Sequence, residues 1–320
     1  MHIFVTGGTG LVGSEIIKQL LEAGHQVGAL RQESSSLSLL QDIAHEIKWH
    51  EGSLWDTFFL TDTLQHYEAV IHAAALVSFH PRQKENLFKI NVEATANLVN
   101  VCLKLPHIKK FCFISSVSAL GINEKDSEKV DEKARWDSGI THSYYGFTKY
   151  LAELEVWRAY HEGLPVVIVN PSVVISPKQT TRSSSKLIDY VKKENLFYSL
   201  GSFNYVAVSD VAKAVMLLIE SNISGERFIL SAGTTTYKDF FERLAAILQV
   251  KPPRYAITPF LAEIGWRLAA LQSFITGKEP FITKETARTA FRKKEFVGQK
   301  ITKTLPFQYK QLDEMLADFL

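Results

Sequence analysis

Tyr145 and Lys149 stand four residues apart at the start of a stretch with helical periodicity, 145–162. On a helix that spacing brings a phenol and an ammonium to one face. A phenol can protonate an oxygen that is gaining charge, and its phenolate can take the proton back. An unperturbed tyrosine titrates at about 10, too high for a base at neutral pH, but a neighbouring positive charge favours the phenolate. Such a pair needs a third group, a hydroxyl that holds the reacting oxygen in place. The apolar run 110–115 offers candidates at its end in Ser115 and Ser116, with Ser118 just beyond.

A second constellation lies near the N-terminus. The apolar run 3–6 passes into Thr6-Gly7-Gly8-Thr9-Gly10-Leu11-Val12-Gly13, then into a helical stretch with Ile16, Ile17, Leu20 and Leu21 on one face. Between a strand and a helix, Gly7 would permit a tight turn and Gly10 a close approach of pyrophosphate to the backbone. Gly13 would let the helix pack closely on the sheet. The helix N-terminus adds N–H groups and the positive end of its dipole. The spacing predicts a dinucleotide site formed by Gly7, Thr9, Gly10, Leu11, Val12 and Gly13. The second apolar run, 26–30, is followed by Arg31 instead of the acid that would accept bonds from a free ribose 2′-hydroxyl. Arg accommodates a 2′-phosphate, so NADP is expected ahead of NAD, with Glu33 counting the other way.

Elements able to position these groups alternate along the first half of the chain. Short β-branched runs at 3–6, 26–30, 47–50, 69–72, 110–115 and 166–170 are separated by amphipathic stretches at 14–23, 91–105 and 145–162. That alternation predicts an α/β fold, a doubly wound parallel sheet of Rossmann type with helices on both faces. Catalytic groups are then expected at the carboxyl ends of its strands. After Pro177 the pattern changes: a loop at Lys178 and 182–185, a helix 186–194, a strand 205–208, a helix 211–220 capped by Ser209–Asp210, and a strand 228–230. The rest is helical in period, with loops at Pro252-Pro253 and Thr276-Gly277-Lys278. The expected division is a nucleotide-binding domain, 1–175, to which 205–230 returns, and a smaller, mostly helical substrate lobe, 176–320.

The chain has 320 residues, ample for a core without disulfides or a structural metal. Its 36 Lys and Arg against 34 Asp and Glu give a net charge of +2, no basis for nucleic-acid binding. Cys102 and Cys112 lie in apolar stretches without metal-ligand spacing, so no metal is expected and a reducing, cytoplasmic setting is. No signal peptide is visible. The apolar segment 257–276 contains Glu263, Arg267 and Gln272, which argue for a partly exposed amphipathic helix and against a transmembrane segment. Within it Trp266, Leu268 and Phe274 read as packing residues. Lys284, Arg288, Arg292, Lys293 and Lys294 read as a solvated basic face.

A glycine turn, a serine-ended strand and Tyr145-Gly146-Phe147-Thr148-Lys149, in that order, resemble the extended short-chain dehydrogenase/reductase superfamily, the NAD-dependent epimerase/dehydratase family, over nearly the whole chain. Gly52-Ser53-Leu54-Trp55-Asp56 is similar to its adenine-side motif, with Ser53 in place of an Asp. Ile71-His72-Ala73-Ala74-Ala75 is similar to the strand end on which the cofactor lies, and Asn91-Val92-Glu93-Ala94-Thr95 to a helix start. Asn170-Pro171-Ser172-Val173-Val174 is similar to the loop behind the nicotinamide. Arg31 and the Asn-Pro-Ser loop look most like the dihydroflavonol reductase-like branch.

The resemblance implies Tyr145 as acid or base, Lys149 as its partner and ribose ligand, and Ser116, counted back from Gly121, as the substrate-oxygen donor. It implies cofactor contacts at Ser53, Leu54, Ala73, Ala74, Ala75, Asn91, Ser115, Pro171, Ser172 and Val174. Val77, Ser78 and Phe79 fall where its substrate pocket begins, and His80 and His142 are loop histidines within reach of a substrate. The implied activity is NADP-dependent reduction of a largely apolar carbonyl, or oxidation of the alcohol. The alternatives are a nucleotide-sugar epimerase or dehydratase, which shares the apparatus, and a non-catalytic NADP-binding sensor, against which the intact Tyr145 and Lys149 count. A homodimer through 91–105 and 145–162 is expected, from the family's habit and from apolar positions beyond those one sheet face needs.

Overall fold

The apolar runs become seven parallel strands: β1 (His2–Thr6), β2 (Gln26–Arg31), β3 (Lys48–Glu51), β4 (Ala69–His72), β5 (Lys110–Ile114), β6 (Val166–Pro171) and β7 (Glu226–Leu230). In this computed structural model, which describes residues 1–121, 129–137, 142–178, 185–276, 283–291 and 293–320, their order is β7-β6-β5-β4-β1-β2-β3. The order reverses at β1, beside β4, and the crevice at such a reversal is where doubly wound folds bind ligands. Arg182, Gly277, Lys278 and Arg292, named above, lie outside the described residues, as do the side chains of Phe274 and Arg288.

Alternation within each strand sorts the core into two layers. Ile3 and Val5 of β1 face α1 (Leu11–Glu22), where Ile16, Ile17 and Leu20 are buried. Phe4, between them, faces the opposite layer, which comprises α2 (Thr57–Leu64), α3 (Ala94–Leu103) and α4 (Tyr144–His161). β5 and β6 are buried along their whole length, as central parallel strands covered on both faces must be. On the first face α1 packs against α5 (Val208–Glu220).

Segment 205–230 divides between two sheets. β7 joins the seven-stranded sheet beside β6, but Ser202–Ala207 does not. It pairs in parallel with Val173–Ile175 and antiparallel with Gly233–Thr236, forming a separate three-stranded sheet. Ile175, Tyr205, Phe240, Leu244 and Met315 form a core of their own there. Ser209–Asp210 does not cap α5: the strand runs directly into the helix, Ala207 takes the N-cap position, and Asp210 accepts the Lys310 N–H at 2.9 Å.

Two packing expectations fail. Leu268 is 62% exposed and Trp266 is not buried, so neither is a core residue. The apolar positions of 91–105 are used within the chain: Leu98, Val99, Val101 and Cys102 are buried, with α3 packed against α2 and α4. What stays exposed on α4 is Phe147, Leu154 and Tyr160.

Candidate active site

Local sequence fixes where α4 begins. Ser143 is its N-cap, accepting the Gly146 N–H at 2.7 Å. Gly146 lets that first turn approach the chain after β5: a Cβ there would lie 2.4 Å from the Ser118 carbonyl oxygen. Tyr145 is thereby held against Ser116. The Ser118 N–H donates to Ser116 Oγ at 3.1 Å, and the Ser116 side chain lies beside the Tyr145 phenol. Burial pushes Tyr145 up to about 12, against the opposing pull of Ser116. One turn on, Lys149 Nζ donates to the Ile114 carbonyl at 2.8 Å and lies 4.1 Å from the Phe113 ring centroid. Its burial pulls it down to about 7, opposed by the charge of Glu153. The predicted trio therefore converges at the carboxyl end of β5.

Ser115, the neighbouring candidate, is committed elsewhere. Its hydroxyl donates to Glu153 Oε1 at 2.5 Å, and the same oxygen receives Asn170 Nδ2 at 2.6 Å. Arg227 of β7 donates to Glu153 Oε2 at 2.6 Å. Asn170 also donates to the Ser116 carbonyl at 2.9 Å, which fixes the backbone of that serine. The sequence reading missed this cluster. Its signal was an acid four residues after Lys149 on a helix face that has to be buried, and an Asn ending an apolar strand.

Asn91 lies in a π-helical turn, Lys89–Glu93. It clamps Leu76 by accepting its N–H at 2.8 Å and donating to its carbonyl at 3.0 Å, so it holds the 73–80 loop. That loop carries Phe79, whose ring meets the Tyr145 ring edge-on at 6.0 Å between centroids. Val77 and Phe79 are exposed beside it. Ser78 and His80 are turned to local use: Ser78 Oγ accepts the His80 N–H, and His80 Nδ1 accepts the Arg82 N–H at 3.1 Å. His142 is drawn away, stacked on Trp136 at 3.8 Å and donating from Nε2 to the Asp137 carbonyl.

Another missed residue, His72, is fully buried. Thr95 Oγ1 donates to the Asn91 carbonyl at 2.7 Å, so it accepts from His72 Nε2 at 2.9 Å. His72 Nδ1 then accepts the Thr6 hydroxyl at 2.6 Å. Burial and the nearby Lys149 charge hold the ring neutral, pulled down to about 3.

The glycine turn fits a dinucleotide. Gly7 has φ +70°, and a Cβ on it would lie 2.5 Å from the Ala74 nitrogen, so the turn rests on Ala73 and Ala74. A Cβ on Gly13 would lie 2.2 Å from the Gly7 carbonyl oxygen. A Cβ on Gly10 would meet nothing closer than that oxygen at 3.3 Å. Packing within the chain therefore excludes a side chain at Gly7 and Gly13, whereas at Gly10, beside the α1 N-terminus that has no side-chain cap, a Cβ would meet one tight backbone neighbour. Thr9, Leu11 and Val12 complete the turn. At the other end, Ser172 Oγ is buried without a partner in the loop between Pro171 and Val174. These are the features a pyrophosphate and a nicotinamide amide would fill. Ser53 Oγ accepts the Trp55 N–H in a turn, and Leu54 packs on the second core layer. Arg31 pairs with Glu51, its neighbour on β3, and lies over Trp49 at 5.8 Å.

A parallel sheet with this reversal, and a glycine turn at its edge, is the architecture of NAD(P)-dependent oxidoreductases of the extended short-chain dehydrogenase/reductase type, and this chain is one of them. It belongs to the NAD dependent epimerase/dehydratase family, which it matches over residues 3–231. It is 27% identical to a putative dihydroflavonol 4-reductase of Synechocystis sp. over 322 residues, 98% of this chain and 92% of that protein. It is 27% identical to sterol demethylase protein B of Methylococcus capsulatus over 266 residues, 82% of this chain and 79% of that protein. The crystal structure of gox2253 superposes with a TM-score of 0.84 at 28% identity, covering 99% of this chain and 96% of that one. That of UDP-glucose 4-epimerase from Thermotoga maritima gives 0.79 at 23% identity over 100% and 97%, a likeness of fold alone.

The glycines separate packing from ligand binding. Gly13→Ala should lower stability by about 1–3 kcal/mol, the usual cost of overpacking, in thermal denaturation of the cofactor-free protein. Gly10→Ala should lower the melting temperature less than Gly13→Ala does, and lose about tenfold or more in dinucleotide affinity by calorimetry.

Lys149 predicts a pH effect. Its folded pKa of about 7 lies below the unfolded value of 10.5, so the unfolded chain binds the extra proton between those values. Stability therefore rises with pH across that window. Lys149→Met removes this dependence, so its melting temperature relative to the wild type should be higher at pH 6 than at pH 9. A pH-independent difference would contradict the buried-ammonium reading.

Proposed function

We propose that the protein is an NADP-preferring oxidoreductase that reduces the carbonyl, or oxidises the alcohol, of a small to medium, largely apolar substrate. The observation that carries the reading is the convergence of Ser116, Tyr145 and Lys149 under the exposed ring of Phe79. The bound nicotinamide supplies or accepts the hydride. In the reductive direction Tyr145, fully protonated at neutral pH, gives its phenolic proton to the substrate oxygen. Ser116 donates a hydrogen bond to that oxygen and holds it beside the phenol. In the oxidative direction the phenol must first give up its proton, and the Lys149 ammonium stabilises the phenolate. Lys149 also serves as a ribose ligand. Phe79 and Val77 give the substrate apolar walls, and reductases among the sequence relatives point the same way.

NADP over NAD follows from Arg31 at the end of β2, whose Nε is buried without a partner. Glu51 competes for that guanidinium, so the acid and a 2′-phosphate are alternative partners. The exposed Phe147, Leu154 and Tyr160 of α4 are the surface through which we take the chain to pair as a homodimer, which a mass by light scattering checks. Two buried free thiols, Cys102 and Cys112, suit the reducing cytoplasm.

Tyr145→Phe removes the transferable proton and keeps the ring. In single-turnover assays with a carbonyl substrate, the chemical step should slow by about 10²–10⁴-fold while dinucleotide affinity is retained. An unchanged rate would exclude this mechanism. Arg31→Asp should reverse the NADP preference measured by binding, and tighter NAD binding by the unaltered protein would exclude the assignment.

A further inference from the structure

The C-terminal lobe carries an apolar surface that no described residue covers. The helix Pro259–Thr276 is rich in Leu, Ile, Ala and Phe, yet none of residues 259–273 is buried. Phe260 is 73% exposed, Leu268 62% and Leu271 58%, with Leu261 and Ile264 open as well. At about 100° per residue these five fall within roughly 100° of arc. A Cβ on Gly265, just beyond that arc, would meet nothing within 4 Å. Single exposed apolar residues are ordinary, but a continuous stripe on one helix marks an interaction face.

The stripe continues into the segment before it. Tyr255–Ile257 pairs with Phe197–Ser199, the N–H groups of Arg254 and Tyr255 both donate to the Leu196 carbonyl, and Leu196, Phe197, Leu200 and Tyr255 are exposed. The charges on these segments are mostly positive. Lys192, Lys193, Lys251 and Arg254 are exposed, and Lys284 Nζ lies 5.9 Å from the Trp266 ring. The acids are fewer. Glu263 pairs with Arg267 at 2.7 Å, Glu194 accepts the Lys251 N–H, and Asp189 is half-buried.

We infer that this stripe is the face by which the protein lies on an anionic bilayer surface, with Phe260, Ile264, Leu268 and Leu271 at the headgroup boundary and the lysines against lipid phosphates. Apolar burial together with cation–phosphate attraction is what holds an interfacial helix in place. No helix among the described residues is long and apolar enough to cross a membrane, so the contact lies along the surface. Charge argues against a second copy as the occupant: a twofold contact sets the same patch against itself, lysines opposing lysines.

Flotation of the full chain with vesicles tests this. Vesicles of phosphatidylcholine with one-third phosphatidylglycerol are compared with phosphatidylcholine alone; that fraction, about a third, is enough for an anionic surface potential. The protein should float with the anionic vesicles and be released by salt. Phe260→Ser/Leu268→Ser/Leu271→Ser should bind about tenfold more weakly with an unchanged melting temperature, because these side chains make no core contact. Lys251→Glu/Arg254→Glu should lose the preference for anionic lipid. Three outcomes would overturn the inference: no flotation of the unaltered protein, undiminished flotation of the triple variant, or a concentration-dependent oligomer that the triple variant dissolves. The readout is independent of oxidoreductase activity, so failure of either reading leaves the other intact.

Discussion

The ammonium of Lys149 has almost no contact with solvent, and the surrounding structure is arranged to hold it there. A buried charge is costly unless it is hydrogen-bonded and paired. Three groups offset the cost here: the Ile114 carbonyl, the face of Phe113, and Glu153 one turn further along α4. The first two belong to the last two residues of β5, so the lysine also ties α4 to the strand end that presents Ser116. Tyr145, one turn before Lys149, takes its position from the same docking. Glu153 in turn receives donors from Ser115, just past the end of β5, from Asn170 of β6 and from Arg227 of β7. One carboxylate thus gathers the three strand segments that border the site. Removing either member of a buried pair is costlier than never having built it, because the other charge is left stranded.

His72 completes this electrostatic arrangement around the same ring. It stacks on Phe113 at 5.5 Å, while Lys149 also lies over that ring. Two cations flanking one phenylalanine in a dry interior would repel. The bonds from the Thr6 hydroxyl and to Thr95 fit a neutral imidazole with the proton on Nε2, so the positive charge stays on Lys149. The same chain joins β1, β4 and α3, the elements that carry the glycine turn, Ala73–Ala74 and Asn91. The glycine turn and the proposed proton-transfer pair are therefore braced by one set of buried side chains.

Much of this was legible from local pattern. Strand alternation and the glycine turn specify the parallel sheet, because apolar runs in series must be joined by crossover helices. The Tyr145–Lys149 spacing places acid and cation on one face whatever surrounds the helix. The Glu153 and His72 networks were not legible, since their partners lie between 17 and 74 positions apart in pairings that only the folded sheet creates, such as Thr6 with His72 or Arg227 with Glu153. The loop histidines misled for the opposite reason. A ring in a loop can satisfy itself locally, as His80 does on the Arg82 N–H and His142 on Trp136. Segment 202–207 misled because a short β-branched run names a strand but not its sheet. Its partner is decided by where β6 leaves off.

The exit from β6 is where the two sheets meet. Asn170 is tied to Ser116 and Glu153 on the catalytic side. Two residues later the Ser172 N–H donates to the Leu230 carbonyl of β7, and the chain immediately becomes the Val173–Ile175 strand of the second sheet. The Asn170-Pro171-Ser172 loop therefore belongs to both layers: its first residue is locked to Ser116 and Glu153 and its last feeds the lobe. The lobe has a separate core around Phe240 and Leu244, distinct from the layers that carry Ser116, Tyr145 and Lys149. The loop itself cannot be displaced without breaking its bond to Glu153. The two layers are thus joined through one segment that a buried carboxylate anchors.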